Sequence, residues 1–355
     1  MNIALNKLIL SLVTCGLVLM FSSCSRPLVQ PSQTSNLPIS QEQNMVKVIY
    51  PSLRLAANGS VALLENVNQG FKVYSLPNLD LRFSQESVEN VVNVVLSSSG
   101  TSVGVHTTAD ELLVVTASQR HSYKLPISRD RIRGLTLSDA GDKVAILSIN
   151  EAENSASNPK DNGALEIWSL PPGERPLASI QLPLFDPAVV SANGAFSIFA
   201  VRSTTSVGNN QFMGVYKSVG TDGNLSPLWT EPESSPTRSA VALYNDWVWA
   251  VQKDAIAGWH NDAPPVTLPG TLREHLIFSP TGSHLLAYRG EESMGVTSTK
   301  MLFRLFELSS LKQVKQVTHI IEDDANAHFV LSDSLALLEL RATREGEIKR
   351  QELSW

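Results

Sequence analysis

The feature that most constrains this chain is a pattern of two apolar runs joined by a tight polar turn. The pattern recurs seven times between Leu53 and Leu340. Glycine reaches positive φ without a Cβ clash, and Ser, Asp or Asn beside it can hydrogen-bond the turn, so each copy predicts a β-hairpin. Four turns carry glycine at the same place, with a fifth further on: Gly59, Gly100, Gly141, Gly194 and then Gly282. A period of roughly 40–50 residues predicts stacked repeats, as in propellers or solenoids.

A third short run usually follows each hairpin, often ending in an aromatic residue such as Tyr74 or Trp168. With one more strand from the connection, each copy of about 44 residues would form a four-stranded sheet that must stack on its neighbours. The segment FSPTGSHLLAY from Phe278 resembles the opening of repeats in WD/YVTN-type β-propellers. The Gly-His and Trp-Asp dipeptides of strict WD repeats are absent from the copies, so the resemblance is to a divergent member.

The fold expected from this resemblance is all-β, a single propeller of seven four-stranded blades. The run Val46–Tyr50 would close the ring by pairing with the final blade, which would also contain the segment IKRQELSW at the C-terminus. Closure would remove an exposed sheet edge that otherwise invites aggregation. Six or eight blades also fit, because the fifth and seventh copies lack the turn glycine.

The N-terminal residues have the composition of a bacterial lipoprotein signal. Lys7 precedes the apolar stretch Leu8–Phe21, which is short for a membrane span, and Phe21-Ser22-Ser23-Cys24 resembles a lipobox. The resemblance implies lipid attachment at Cys24; an ordinary secretory signal is the alternative. We therefore expect a signal peptide at 1–23, a lipidated N-terminus and Pro/Ser/Gln-rich flexible tether at 24–44, and the propeller at 45–355.

Composition and motifs point away from several functions. The formal net charge is −6 with no basic run, so nucleic acid is not an expected partner. The string Gly100-Thr101-Ser102-Val103-Gly104 fits the G-x-S-x-G nucleophile pattern, but it falls in a repeated hairpin without a following helix. The histidines form no metal-ligand spacing. We predict no catalytic residues, no metal and no cofactor.

Unit length varies mainly through polar insertions between second and third strands, at 150–163, 203–211 and 290–300. In WD-like propellers these connections lie on the face where the innermost strands begin, and binding residues concentrate on loops held by a rigid scaffold. This implies a candidate partner-binding face with residues at the channel mouth and in the inserted loops. The mouth residues are Asn93, Arg133, Asp186, His275 and His328, and the loop residues are Asn154, Asn158, Asn209 and Glu291.

The function expected from these features is a non-enzymatic protein-interaction or assembly platform, lipid-anchored in the bacterial cell envelope. Its partner would be another envelope protein, and in a Gram-negative source the anchor would place it at the outer membrane, on the periplasmic side. The sequence leaves the oligomeric state open. One alternative is a small-molecule or glycan binder with an aromatic-lined pocket. Another is a hydrolase or lyase acting at the channel through Asp186, His275 and Arg133.

Overall fold

A computed structural model describes most of the chain from residue 51 onward. The described residues lie within the compact unit Val48–Trp355. The predicted signal peptide, the tether with Cys24, and the strand at 46–50 lie outside them. The described ranges are 51–66, 70–149, 163–184, 188–204, 211–219, 224–231, 241–251, 255–260, 263–271, 274–294, 297–323 and 326–355.

Apart from one 3₁₀ turn at Arg129–Arg131, the regular structure of these residues is entirely β. Apolar runs rich in Val, Ile and Leu form strands because β-branched side chains pack well on a pleated surface. The strands are β1 (Ser52–Leu55), β2 (Val61–Asn66), β3 (Gly70–Ser75), β4 (Asp80–Glu86), β5 (Val91–Leu96), β6 (Ser102–Thr107), β7 (Glu111–Thr116), β8 (Arg120–Lys124), β9 (Ile132–Leu137), β10 (Lys143–Ile149), β11 (Gly163–Ser169), β12 (Ala178–Leu182), β13 (Ala188–Ala192), β14 (Ile198–Thr204), β15 (Gln211–Val219), β16 (Asn224–Glu231), β17 (Val241–Tyr244), β18 (Trp247–Val251), β19 (Ala255–His260), β20 (Val266–Pro269), β21 (His275–Phe278), β22 (His284–Ser293), β23 (Ser298–Glu307), β24 (Lys312–Glu322), β25 (Ala327–Leu331), β26 (Leu337–Ala342) and β27 (Ile348–Leu353).

These strands form antiparallel meanders that follow the chain order. Five are separate blades: β1–β4, β5–β8, β17–β20 and β21–β24 have four strands each, and β25–β27 has three. The remaining strands, β9–β16, form one eight-stranded sheet. Its two four-stranded halves meet through a single parallel pair, Ser179 with Asn224. The predicted repeat of hairpins is therefore confirmed as a propeller-like all-β arrangement.

The hydrophobic core lies between successive sheets. One cluster joins the β21–β24 and β25–β27 blades, where the rings of Phe303 and Phe329 meet edge to face at 4.8 Å. Another joins the β17–β20 and β21–β24 blades around Trp249 and Phe278, both fully buried. Since each apolar sheet face is covered by the next sheet, no blade could bury its core alone.

The turns between first and second strands agree with the predicted glycine pattern except in the β13–β14 hairpin. There Phe196, not Gly194, has the positive φ of 59°, and its N–H donates to the Asn193 carbonyl. Gly194 is needed for a different reason, since a Cβ at that position would lie 1.7 Å from an oxygen of Asp139. Leu335 occupies the positive-φ position in the β25–β26 turn, with φ 63°. The alignment of Gly194 with the other turn glycines was therefore wrong by two residues.

The same turns tie neighbouring sheets together. We call the surface at which these turns lie the turn face, and the opposite surface, where the innermost strands begin, the top face. Hydrogen bonds at the turn face link consecutive sheets along the chain, and one of them links the two halves of the eight-stranded sheet. They run from Ala57 N–H to Ser98 O (3.0 Å), Ser99 N–H to Asp139 Oδ1 (2.8 Å), Asp139 N–H to Gly194 O (3.1 Å), Asn193 Nδ2 to Asn245 O (2.7 Å) and Tyr244 OH to Pro280 O (3.2 Å).

Candidate functional site

The innermost strands surround a central cavity of about 560 Å³. Its wall is formed by six of them: β1, β5, β9, β13, β17 and β21. Of the predicted face residues, Asn93 on β5 and Arg133 on β9 line this cavity together. Arg54 on β1 is a second charged lining residue, beside Arg133, that sequence reasoning missed. It sits within an apolar run, and that unexpected charge was the only sequence signal that it differs from the core residues around it.

The cavity narrows toward the turn face, because inner strands that are not consecutive in the chain meet there. The hydroxyl of Ser98 donates to the carbonyl of Leu243 at 3.4 Å. The N–H of Phe278 donates to the carbonyl of Ala57 at 3.3 Å. Both contacts cross from one side of the cavity to another, so its wider end lies toward the top face. We call this cavity the cup: its mouth opens at the top face and its floor lies at the turn face. Asn93 lies nearer the mouth.

The two arginines in the cup wall are held by the protein itself. Arg54 donates to the Val94 carbonyl and forms an ion pair with Glu65 at 3.2 Å. Arg133 donates from one nitrogen to the carbonyls of Asp130 and Ile132, at 2.7 and 3.1 Å. Guanidinium groups present several donors in a fixed plane, so such anchoring orients the remaining donors.

A buried histidine stands behind the cup wall. His106 on β6 lies opposite Asn93 in the sheet and is 2% exposed. Its Nε2 has no hydrogen-bond partner among the described residues. Burial lowers the pKa of His106; Asp110 opposes that shift and Arg129 adds to it, both less strongly. The imidazole is therefore neutral at neutral pH. No sequence pattern distinguished it from the other histidines.

His275 and His328 both occupy starts of inner strands, as predicted, but neither is among the residues that line the cup. The ring of His275 stacks on Tyr288 with centroids 5.1 Å apart. Desolvation, and secondarily the charge of Arg202, lowers the pKa of His275. Burial likewise lowers the pKa of His328 and raises the pKa of Tyr288 to about 12. These groups are therefore uncharged at neutral pH.

Of the five remaining predicted positions, one lies among the described residues and four do not. Glu291 lies on β22 and pairs with Arg289 at 3.7 Å and Lys300 at 3.5 Å. Its carboxylate is thus already engaged by two cations. The other predicted residues, Asp186, Asn154, Asn158 and Asn209, lie outside the described residues. The catalytic alternative that combines Asp186 with His275 and Arg133 consequently stays a prediction.

The insertion at 290–300 is not a loop, as the sequence suggested, but a continuation of two strands. Glu292 pairs with Lys300 and Ser293 with Thr299, and the Met294 N–H donates to the Ser298 carbonyl. The hairpin therefore extends the β21–β24 blade past the start of β21, whose first residue, His275, pairs with Tyr288.

The nucleophile-like string has a structural explanation. Ser102 is the first residue of β6, is fully buried, and its hydroxyl donates to the Ser138 carbonyl at 2.8 Å. It thus links two successive sheets, and the strand–helix elbow that the motif requires does not occur here. Among the described residues, no group of three or more His, Cys, Asp or Glu side chains could hold a metal ion. The same residues contain no helix long and apolar enough to cross a bilayer.

Comparison with known proteins agrees with this geometry. No family model and no curated protein sequence matches the chain. Among solved structures, a chain from the mitotic checkpoint complex aligns with a TM-score of 0.51 at 12% identity, over 86% of this chain and 91% of that one. The structural neighbours are WD40 and propeller-type proteins. The fold is propeller-like.

Two further structures align over much of the chain. A hydrazine synthase chain from Kuenenia stuttgartiensis aligns with a TM-score of 0.48 at 10% identity, over 88% of this chain and 99% of that one. A eukaryotic initiation factor aligns with a TM-score of 0.47 at 14% identity, over 85% and 78%. At these sequence identities the similarity shows only that the fold is propeller-like. Function is therefore inferred from the residues of the site.

Proposed function

We propose that this protein is a lipid-anchored component of the bacterial cell envelope, a non-enzymatic platform that holds another envelope protein at its top face. The observation that carries the proposal is the cup. A rigid ring of sheets, tied together at the turn face, presents a cavity with Arg54, Asn93 and Arg133 in its wall. The extended β22–β23 hairpin belongs to the same ring. A partner could therefore contact the cup mouth and the hairpin together. Both are built from strands, so this surface forms without the ordering of a loop.

The proposal includes a ring of seven blades. The eight-stranded sheet counts as two blades because the one strand pairing between its halves is the single parallel pair of Ser179 with Asn224. The β25–β27 blade has three strands where other blades have four, and the described residues leave the outer edge of β27 without a partner strand. The run Val46–Tyr50 precedes β1 and has the alternating apolar residues to fill that place.

The anchor part of the proposal is tested by replacing Cys24 with alanine. Without its sulfur no diacylglycerol can be attached, so the chain should lose lipid labelling and move from the membrane fraction to the soluble fraction or remain as an unprocessed precursor. Fractionation with radiolabelled lipid measures both. A Cys15→Ala chain is the matched control, because Cys15 lies inside the predicted signal and should be dispensable. Unchanged labelling of the Cys24→Ala chain would exclude this anchor.

The docking part is tested with two exposed apolar residues that are equally accessible. Val189 lines the cup and Leu177 lies on the outer side of the eight-stranded sheet, and each is 48% exposed. Val189→Trp should obstruct the mouth while leaving the core intact, and Leu177→Trp should change only the outer surface. Affinity capture from the native envelope should recover at least tenfold less partner with Val189→Trp, a change of about 1.4 kcal/mol in binding free energy. Equal recovery by both variants would contradict docking at the cup.

The closed floor of the cup also favours a second candidate, a small-molecule or glycan binder. Its volume of about 560 Å³ falls within the range of roughly 300–1,000 Å³ that is usual for ligand pockets. Against it, none of the described residues that line the cup is aromatic, although glycan sites commonly use aromatic faces. If Val189→Trp abolished binding of a small ligand while protein capture was unaffected, this second function would replace the platform.

A further inference from the structure

The strand β24 differs from the other outermost strands of the four-stranded blades. It has 11 residues, whereas β4, β8 and β20 have 7, 5 and 4. Within the described residues it pairs only with β23, so its second edge is unpaired. A long edge strand with apolar residues is a template for pairing with another chain, and natural proteins usually shorten or protect such edges.

The register of β24 shows which of its backbone groups face outward. The Asp323 N–H donates to the Thr297 carbonyl, in step with the β23–β24 pairing. Because backbone groups alternate in direction along an antiparallel ladder, Ile321 and His319 also bond to β23. The intervening residues therefore point their N–H and C=O groups at the free edge. These outward residues are Gln316, Thr318, Ile320 and Glu322, and the carbonyl of Glu322 already accepts a hydrogen bond from Arg341.

The side chains of this edge suit a strand interface. Ile320 is 62% exposed, the highest value among the large apolar side chains of the described residues. β-branched residues occupy Val317, Thr318, Ile320 and Ile321, which favours extended pairing. The usable edge ends at Lys315, because a bulge between Leu305 and Phe306 interrupts the pairing beyond it.

We propose that β24 pairs in an antiparallel manner with β24 of a second copy of this chain, around a two-fold axis at His319. In this register Gln316 faces the partner's Glu322, and Thr318 faces the partner's Ile320. Thr318 and Ile320 then exchange backbone hydrogen bonds with the partner in both directions. Glu322 adds a bond through its N–H, while its carbonyl keeps the bond from Arg341. The register also sets Lys315 opposite the partner's Asp323, an attractive charge pair.

We assign a second copy of this chain as the partner strand because β24 is complementary to itself when two copies run antiparallel. In a two-fold antiparallel contact, each residue must fit the residue at the symmetry-related position of the partner strand. In β24 these pairs combine opposite charges or side chains that favour strands. The pairing joins two blades into one continuous sheet but buries less surface than a standard interface of about 1,600 Å². It therefore gives a reversible, concentration-dependent dimer. The inference is independent of the proposed function, since β24 contributes nothing to the cup wall.

Sedimentation of the full-length chain in detergent, over a concentration series up to about 200 µM, tests the dimer. Thr318→Pro removes an outward N–H that makes no bond to another described residue, and Ile320→Lys adds a charge at the centre of the contact. Each should raise the dimer dissociation constant at least tenfold. Leu81→Lys on β4, 55% exposed, is the matched control and should change nothing. A wild-type chain that stays monomeric, or dimers that survive both β24 variants, would overturn the proposal.

Cross-linking tests the register itself. In a two-fold pair centred on His319, the two residues 319 face each other at a non-hydrogen-bonded position, about 4.5 Å apart at Cα, which suits a disulfide. In a chain with Cys15 and Cys24 replaced by serine, His319→Cys should form a disulfide-linked dimer under mild oxidation. His121→Cys, the same exchange on the exposed outer strand β8, should not. Equal cross-linking of both variants, or of neither, would contradict the register.

Discussion

Replacing Glu274 with alanine should lower the free energy of unfolding by about 3–5 kcal/mol, the usual result of removing one member of a buried ion pair. The Glu274 side chain is 1% exposed, and one carboxylate oxygen bonds Arg304 and lies 4.0 Å from Arg289. The other oxygen accepts the N–H of Thr271 at 3.4 Å. Without the carboxylate, the guanidinium of Arg304 would stay buried against Phe306 with no compensating charge. Urea unfolding of the purified variant measures the loss.

The control for this prediction is Glu291→Ala in the same blade. Glu291 also pairs with Arg289, but its side chain is 29% exposed. Water can therefore solvate the guanidinium of Arg289 when the carboxylate is removed. We expect a loss of about 0–1 kcal/mol. The double change Glu274→Ala with Arg304→Met should recover much of the loss, because it removes the uncompensated charge as well. A small effect of Glu274→Ala alone, or no recovery in the double variant, would show that the charge pair is not what stabilises this blade.

Gly100→Ala should cost about 3 kcal/mol, and more than Gly59→Ala. Both glycines have positive φ, 72° and 62°, so alanine is strained at either place by about 1 kcal/mol. At Gly100 an added Cβ would also lie 2.5 Å from the Cβ of Val61, in the neighbouring blade. At Gly59 the nearest atoms are 3.4 Å away, an ordinary contact. The difference between the variants is therefore the cost of overpacking, about 1–3 kcal/mol.

Urea unfolding of both glycine variants under identical conditions checks this prediction, and the shared strain cancels in the comparison. Equal losses would mean that the blades can move apart at the turn face without cost. That outcome would contradict a rigid ring, because the contact between Gly100 and Val61 joins the first two blades.

The repeat predicted much of the fold, because hairpin chemistry is local. Turn residues and short β-branched runs identify each strand pair without information from the rest of the chain. Because the pattern is local, it also led to the wrong alignment of Gly194 with the other turn glycines. The local pattern Ser-Ala-Asn-Gly resembles the other turns, but here the positive φ falls on Phe196, and Gly194 lies against the carboxylate of Asp139 from the other half of the same sheet. The strand extension at 290–300 was also missed, since its polar composition resembles that of a loop.

The candidate site was less predictable than the fold. Asn93 and Arg133 line the cavity, and their places on the inner strands follow from the repeat register, whereas their role in partner binding stays a prediction. Arg54 could not be assigned to the cavity from its own neighbours, and the buried pair of Glu274 with Arg304 joins residues 30 positions apart. Closure of the cup floor depends on Ser98 meeting Leu243, which are 145 residues apart. Contacts of this kind arise from the ring as a whole and leave no pattern in a single sequence.

The central claim is that a protein partner sits over the cup mouth, and photo-cross-linking in the native envelope tests it most directly. A photoreactive amino acid is placed at Val189 in one chain and at Leu177 in another, since both positions are equally exposed. Our account predicts a discrete protein adduct from position 189 and none from position 177. Adducts of the same size and yield from both positions, or from position 177 alone, would contradict it.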